Sequence, residues 1–416
     1  MATHFSWTSI WRLLRASVGG ATRTRWAAAV LSVAVVSAVA APNPVSGPKK
    51  DDGFQTTAPH AILMDADSGS ILFERNADEL IFPASLAKLM TAEVVFNELR
   101  QGNIKLDDEF TVSENAWRKG GAPSHTSSMF AAIHSQVKVD DLLHGVIIQS
   151  ANDACIVLAE GIAGNEITFA AMMTKRAREI GLTKSTFTNS NGLPDPGLKV
   201  TSRELAKLAQ HIIRTYPEFY PIYGEREFTW NKIRQYNRTP VLTTGSDGLK
   251  TGFTREAGYG LVGSAVQNGL RLIVVVNGLK SEKERTDEAR KIIEWGFRAF
   301  ESRLLFAEGQ AVGEAKVFGG EKGYVPLVGP GTIRLMVPRG GNEKIIARVV
   351  YTGPLSAPVE QGRPAGVLKV WRGDNVSLEV PLRTGERIGT GNLSQRAFDA
   401  VTELVIGLFR AGAERL

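Results

Sequence analysis

Two pairs of short apolar runs, far apart in the chain, are bounded by turn residues in the manner of β-strands. Ala61-Ile-Leu-Met-Asp65 and Ser70-Ile-Leu-Phe-Glu74 flank the turn Asp67-Ser-Gly69 and predict a β-hairpin. Tyr259-Gly-Leu-Val-Gly-Ser-Ala265 and Leu270-Arg-Leu-Ile-Val-Val-Val276 flank Gln267-Asn-Gly269, whose Asn-Gly step marks a second hairpin. Between the pairs, apolar residues recur at helical spacing over 86–100, 140–149, 153–162, 167–180 and 202–214. A further helix over about 286–301 places Ile292, Ile293, Gly296, Phe297 and Phe300 on one face. The pattern predicts one antiparallel sheet assembled from both ends of a domain spanning 59–302, with a helical region inserted between.

From 303 the texture changes. Short alternating runs at 313–318, 332–338, 344–351, 366–371 and 376–382, punctuated by glycine and proline, predict a small all-β sandwich over 303–390. No cluster of chemistry-bearing residues is visible in it, which suits a spacer or docking module. Residues 392–416 return to helical period: Phe398, Val401, Leu404, Val405, Leu408 and Phe409 share one face, while Arg396, Asp399, Glu403, Arg410, Glu414 and Arg415 lie elsewhere. Such a helix packs on the β module or lies in a membrane interface. Its place after a completed domain, with a wide apolar stripe uncovered, favours the membrane.

Composition changes the picture at the amino end. The 416 residues are 43% apolar and 22% charged, ordinary for a globular chain. Residues 1–25, however, carry Arg12, Arg15, Arg23 and Arg25 without an acidic residue, and the uncharged run Trp26–Ala40 ends in Ala38-Val39-Ala40. This is the pattern of a secretory signal peptide over 1–40, too short for a span of roughly 20 residues. Its removal would lower the formal charge from +6 to +2, so the basic balance says little about the mature chain. No basic stripe with interleaved aromatics points to nucleic acid. Residues 41–58, with Pro42, Pro44, Pro48, Lys49, Lys50, Asp51 and Asp52, read as a linker. Cys155 is the only cysteine, so no intramolecular disulfide forms and the core alone must hold the fold, as suits a periplasmic enzyme.

Three short motifs carry candidate chemistry. Ser85-Leu-Ala-Lys88 heads the first long helix, where a lysine three residues on returns to the serine's face. A serine hydroxyl needs a base to take its proton, and a neutral lysine can serve if burial or a neighbouring cation, such as Lys250, lowers its pKa. Ser150-Ala-Asn152 lies at a break between two apolar helices: Ser150 can relay a proton to a leaving amine, and Asn152 can orient a substrate amide or Lys88, or simply cap the second helix. Lys250-Thr-Gly252 lies on a sheet strand and offers a cation and a hydroxyl to a carboxylate, with Gly252 allowing close approach to a ligand. The backbone N–H just after Gly252 can join that of Ser85 in an oxyanion hole. The six histidines show no metal-ligand spacing, no Gly-x-Ser-x-Gly elbow occurs, and Cys155 within an apolar helix reads as a buried thiol.

In this order the motifs resemble the penicillin-binding proteins and serine β-lactamases. Gln149-Ser-Ala-Asn-Asp-Ala-Cys155, Asn191-Gly-Leu-Pro194, Asp247-Gly-Leu-Lys-Thr-Gly-Phe-Thr254, Ala257-Gly-Tyr259 and Glu294-Trp-Gly-Phe297 are similar to the low-molecular-mass D-alanyl-D-alanine carboxypeptidases, over about 55–390. The resemblance implies an α+β fold of the β-lactamase/transpeptidase-like type with the β module after it. It implies cleavage of the D-Ala-D-Ala end of cell-wall stem pentapeptides through an acyl-enzyme, and acylation by β-lactams. Ser85 takes the nucleophile's place, Lys88 that of the base, Ser150 and Asn152 that of the relay and orienting pair, and Lys250 and Thr251 that of carboxylate recognition. The second oxyanion N–H falls on Phe253, and Arg285 aligns with an arginine that binds the terminal carboxylate. No metal or organic cofactor is implied, and the terminal helix would lie on the outer face of the inner membrane. Two positions depart from the family: Ala151 stands where glycine is common, and Phe253 where a smaller or polar residue is usual, so that its ring is expected to narrow the substrate groove. Other readings are a β-lactamase, for which Glu204 is the nearest acidic candidate yet looks like an ordinary helix start, an endopeptidase on cross-linked peptides, and a wall-binding scaffold without catalysis.

Overall fold

The computed structural model describes residues 54–340, 344–372, 375–397 and 399–400. The expected signal peptide, most of the linker and most of the terminal helix lie outside these residues. Both expected hairpins form and meet in one sheet. The first is β1 (His60–Asp65) with β2 (Ile71–Arg75). The second belongs to a meander of β3 (Ser246–Thr254), β4 (Gly258–Gln267) and β5 (Leu270–Leu279). The order is β2-β1-β5-β4-β3, with β1 antiparallel to β5, so Ile62 faces Val275 and Met64 faces Ile273.

Both faces of this sheet are covered, which is why β5 reads as an unbroken apolar run. Side chains alternate between two cores. Ile62, Met64, Val262, Ile273 and Val275 join the core of the helical region, while Leu63, Leu261, Val274 and Val276 pack with Ile292 and Ile293. Each fully buried aliphatic side chain of this kind contributes about 1.5–3 kcal/mol. The helical region comprises chiefly α1 (Lys88–Gln101), α2 (Val139–His144), α3 (Asn152–Ala163), α4 (Glu166–Glu179) and α5 (Ser202–Thr215). Two small ladders, Glu109–Thr111 with Gln136–Lys138 and Glu227–Trp230 with Ile233–Tyr236, flank it.

On the sheet's other face lies α6 (Glu282–Ala299), capped by Ser281, whose side chain accepts from the Glu284 N–H. It ends earlier than its periodicity predicts. Phe300 is buried, but as the first residue of strand β6 (Phe300–Phe306). The strand continues the apolar face because its first side chain points back at the same core.

The β module follows as expected, with more strands than the alternation revealed. β7 (Ala311–Phe318), β8 (Tyr324–Val328), β9 (Ile333–Pro338), β10 (Ile345–Val350), β11 (Leu355–Ser356), β12 (Pro364–Arg372) and β13 (Asn375–Thr384) are present. A six-stranded sheet, β10-β12-β13-β8-β7-β11, packs against the β6-β9 ladder over a core that includes Val317, Leu327, Leu335, Val370 and Leu378. Strand β8 escaped the sequence pattern because Pro326 interrupts its five residues.

Candidate active site

Ser85 and Lys88 do not share an α-helical turn. Ala84–Ala87 form a turn of 3₁₀-helix, and α1 starts only at Lys88. With three residues per turn the side chains at i and i+3 eclipse, so the two groups meet: Lys88 Nζ lies 2.9 Å from Ser85 Oγ. Lys88 is 1% exposed, and its Nζ also donates to the carbonyl oxygen of Asn191 at 2.6 Å. Its pKa is lowered to about 8, by burial first, with Cys155 and Asp153 opposing the shift and the Arg238 guanidinium adding to it. Desolvation, one of the two causes the sequence offers, dominates, and the Arg238 cation adds to it, while Lys88 and Lys250 repel one another.

The Asn191 carbonyl is held against the nucleophile turn by Gly192. Its φ of +84° suits glycine, and a Cβ there would lie 1.9 Å from the Ala84 oxygen. Ala84 itself has a φ of +49°, a left-handed conformation that costs a non-glycine residue about 1–3 kcal/mol.

The second motif also differs locally from the expected continuous helix over 140–149. After α2 the backbone widens into a π-helical turn, Gly145–Gln149, that ends at Ser150 in a left-handed conformation with φ of +63°. Such turns re-aim the residues that follow them. Ser150 and Asn152 are both buried. Asn152 opens α3 but makes no side-chain cap. Its Nδ2 donates to Thr126 Oγ1 at 2.9 Å and its backbone N–H to the Ser127 carbonyl, while Oδ1 finds no partner among the described residues. Asp153 secures the same loop, accepting from Ser128 Oγ and from the N–H groups of Met129 and Ala131.

The third motif lies on the edge strand β3. Lys250 is 2% exposed and donates to the Thr251 carbonyl at 3.2 Å. Its pKa is pushed well down, by burial first, then by Lys88, Arg238 and Arg285, with Cys155 opposing. These mutual influences bring Lys88, Lys250, Arg238 and Arg285 into one electrostatic neighbourhood. Gly252 does permit a close approach, but to the nucleophile turn: a Cβ would lie 3.1 Å from Leu86 N and from Pro83 O.

Phe253 lies on the opposite face of β3 from Gly252 and is half-exposed. It stacks on its cross-strand partner Tyr259, ring centroids 4.1 Å apart. The Arg285 guanidinium lies 5.9 Å from the Tyr259 ring. Arg285, on the first turn of α6, is buried and bonds Glu282 at 2.8 Å, while its Nε has no partner among the described residues.

Arg238 is the residue that motif reading missed. It follows the Ile233–Tyr236 strand, and its Nη1 donates to Ser127 Oγ at 2.6 Å, beside Asn152. Cys155 is fully buried and its thiol is pushed up to about 12. Glu204 is committed elsewhere, accepting from the N–H groups of Lys184 and Ser185 and from the Ser185 hydroxyl.

The sequence and the fold both match known proteins. A family model described as D-alanyl-D-alanine carboxypeptidase matches residues 45–281. The chain belongs to the D-alanyl-D-alanine carboxypeptidase family. A second model, the C-terminal domain of penicillin-binding protein 5, matches residues 300–390. This carboxypeptidase chain is 41% identical over 345 residues to the D-alanyl-D-alanine carboxypeptidase DacC of Escherichia coli K12, covering 82% of this chain and 86% of the relative. Penicillin-binding protein 5 from Haemophilus influenzae superposes with a TM-score of 0.70 at 37% identity, over 83% of this chain and all of that one. An ampicillin-bound penicillin-binding protein D2 from Listeria monocytogenes covers 58% of this chain and 98% of its own, at 30% identity and a TM-score of 0.53. Family membership favours the carboxypeptidase reading over a β-lactamase or an inactive scaffold.

Proposed function

We propose that this carboxypeptidase removes the terminal D-alanine from peptidoglycan stem pentapeptides through an acyl-enzyme on Ser85, and that β-lactams acylate the same oxygen. The observation that carries the residue roles is the 2.9 Å contact between the Ser85 hydroxyl and a buried lysine whose pKa is lowered to about 8. As a neutral amine, Lys88 takes the Ser85 proton while Oγ attacks the carbonyl carbon of the penultimate D-alanine. The oxyanion accepts from the backbone N–H groups of Ser85 and Phe253. Ser150 relays a proton to the departing amine, the C–N bond breaks, and D-alanine leaves an ester on Ser85. Water then attacks that ester with Lys88 again as base, releasing the shortened peptide.

Asn152 orients the peptide amide. Lys250, Thr251 and Arg285 hold the terminal carboxylate, and the approach of that anion raises the Lys250 pKa back toward its charged form. A β-lactam follows the same path to the ester, but its departing amine stays tethered in the site. The tethered amine blocks water, which makes a long-lived adduct the expected product.

The N-terminal arginines with their apolar run and the apolar face of 392–416 support an exported enzyme, peripheral on the outer face of the inner membrane. One set of measurements tests the whole reading. Wild type should gain the mass of one penicillin and release D-alanine from a pentapeptide, and Ser85→Ala should do neither. In cells, loss of residues 401–416 should move the protein from the membrane to the soluble periplasmic fraction. A Ser85→Ala adduct at wild-type yield would sink the nucleophile assignment, and an unchanged fractionation would sink the anchor.

A further inference from the structure

The Phe253 ring has no role in the chemistry above, which uses only its backbone N–H. Yet it is a large aromatic left half-exposed beside the site, at 50%. Stacked on Tyr259, it forms the wall of an open surface groove of about 530 Å³, with Ala257 and Leu279 adding apolar lining and Arg255, Glu256 and Lys280 its charged rim.

The groove's position follows from strand geometry. Thr251 and Phe253 are two residues apart and project from the same face of β3, and Arg285 stands by the same Tyr259 ring that carries Phe253. Two residues of strand rise about 7 Å. If Thr251 and Arg285 hold the carboxylate of the leaving residue, as proposed above, the side chain on its α-carbon starts beside Thr251. A methyl group is too short to reach the ring. A side chain of four or more heavy atoms spans the gap and can lie on the open face of the aromatic pair.

We propose that Phe253 and Tyr259 form a leaving-group subsite that accepts large apolar side chains, so that the enzyme also releases C-terminal D-residues such as D-methionine and D-phenylalanine. The bond broken is the same peptide bond, and the leaving amine takes up the same proton. Phe253 is then a specificity determinant, acting through its ring and independently of its N–H.

The test compares pentapeptides ending in D-Ala-D-Ala, D-Ala-D-Met and D-Ala-D-Phe, with release of the last residue read by chromatography for the full chain. Wild type should cleave the D-Met and D-Phe peptides with kcat/KM within a few-fold of the D-Ala peptide. In Phe253→Thr the D-Phe to D-Ala ratio of kcat/KM should fall about tenfold, with the loss in KM, and Phe253→Tyr, which keeps the stack, should restore it. Penicillin acylation by each variant confirms a folded site. If wild type releases D-alanine but rejects D-Met and D-Phe by a hundredfold or more, or if the ratio ignores position 253, the subsite is wrong while the carboxypeptidase reading stands. If wild type is acylated by penicillin yet releases no D-alanine, the reading beneath the subsite fails and takes the subsite with it.

Discussion

At the scale of single residues, the reactive form of Lys88 is the uncommon one. Burial holds its ammonium down to about 8, with Arg238 adding to the effect, so at neutral pH roughly a tenth of the enzyme carries the free amine. The amine is the base, so the sign follows: activity rises as pH rises through about 8 and is lost as pH falls below it. Penicillin acylation should accelerate about tenfold between pH 7 and pH 9, following the neutral fraction of a single group. A rate that is flat over that window would count against Lys88 as the base. The pairing of Ser85 with Lys88 was legible in the sequence because both lie within one turn. The partners that tune it were not: Asn191, whose carbonyl fixes Lys88, is 103 residues away in the chain, and Arg238 belongs to no motif. Nothing local marks a residue whose contribution depends on where the fold brings it.

Elements were legible as periods and illegible where they deform. Both hairpins and the inserted helices follow from apolar spacing, since their burial is what the spacing records. The 3₁₀ turn at Ala84–Ala87 and the π turn at Gly145–Gln149 keep helical periodicity while changing which way Ser85 and Ser150 point. Both lie at the site, where the chain departs from regular geometry to bring groups together. Gly192 offers a direct probe of that departure. An alanine there meets a carbonyl oxygen at 1.9 Å in a left-handed conformation, so the Asn191 loop and the nucleophile turn must move apart. Gly192→Ala should cost about 1–3 kcal/mol of stability. More tellingly, it should slow penicillin acylation at least tenfold at temperatures where the variant remains fully folded by circular dichroism. Acylation at the wild-type rate would mean that the Asn191 carbonyl does not set the position of Lys88.

Across the whole molecule, the change of texture near residue 303 marked two modules, but it gave no sign that they share a core. Met336, on β9, is 2% exposed and lies in the same apolar cluster as Phe300, Leu272 and Ile292, whereas its neighbours Leu335 and Val337 face the β sandwich. Strand β9 therefore presents one face to each module, and its alternation reads as a single strand with two buried sides. A lysine at 336 would bring an unpaired cation into the cluster behind the catalytic sheet, at a cost of several kcal/mol. Met336→Lys should then lower the temperature at which penicillin acylation is lost, although residue 336 belongs to no catalytic motif. Leu327→Ala, a cavity confined to the β sandwich, removes comparable apolar packing without touching that cluster. If the modules are joined through β9, the lysine should shift heat inactivation of acylation by clearly more than the alanine does. Equal shifts would mean that the β module's stability reaches the site only as a whole, and no shift in either would make the two modules thermally independent.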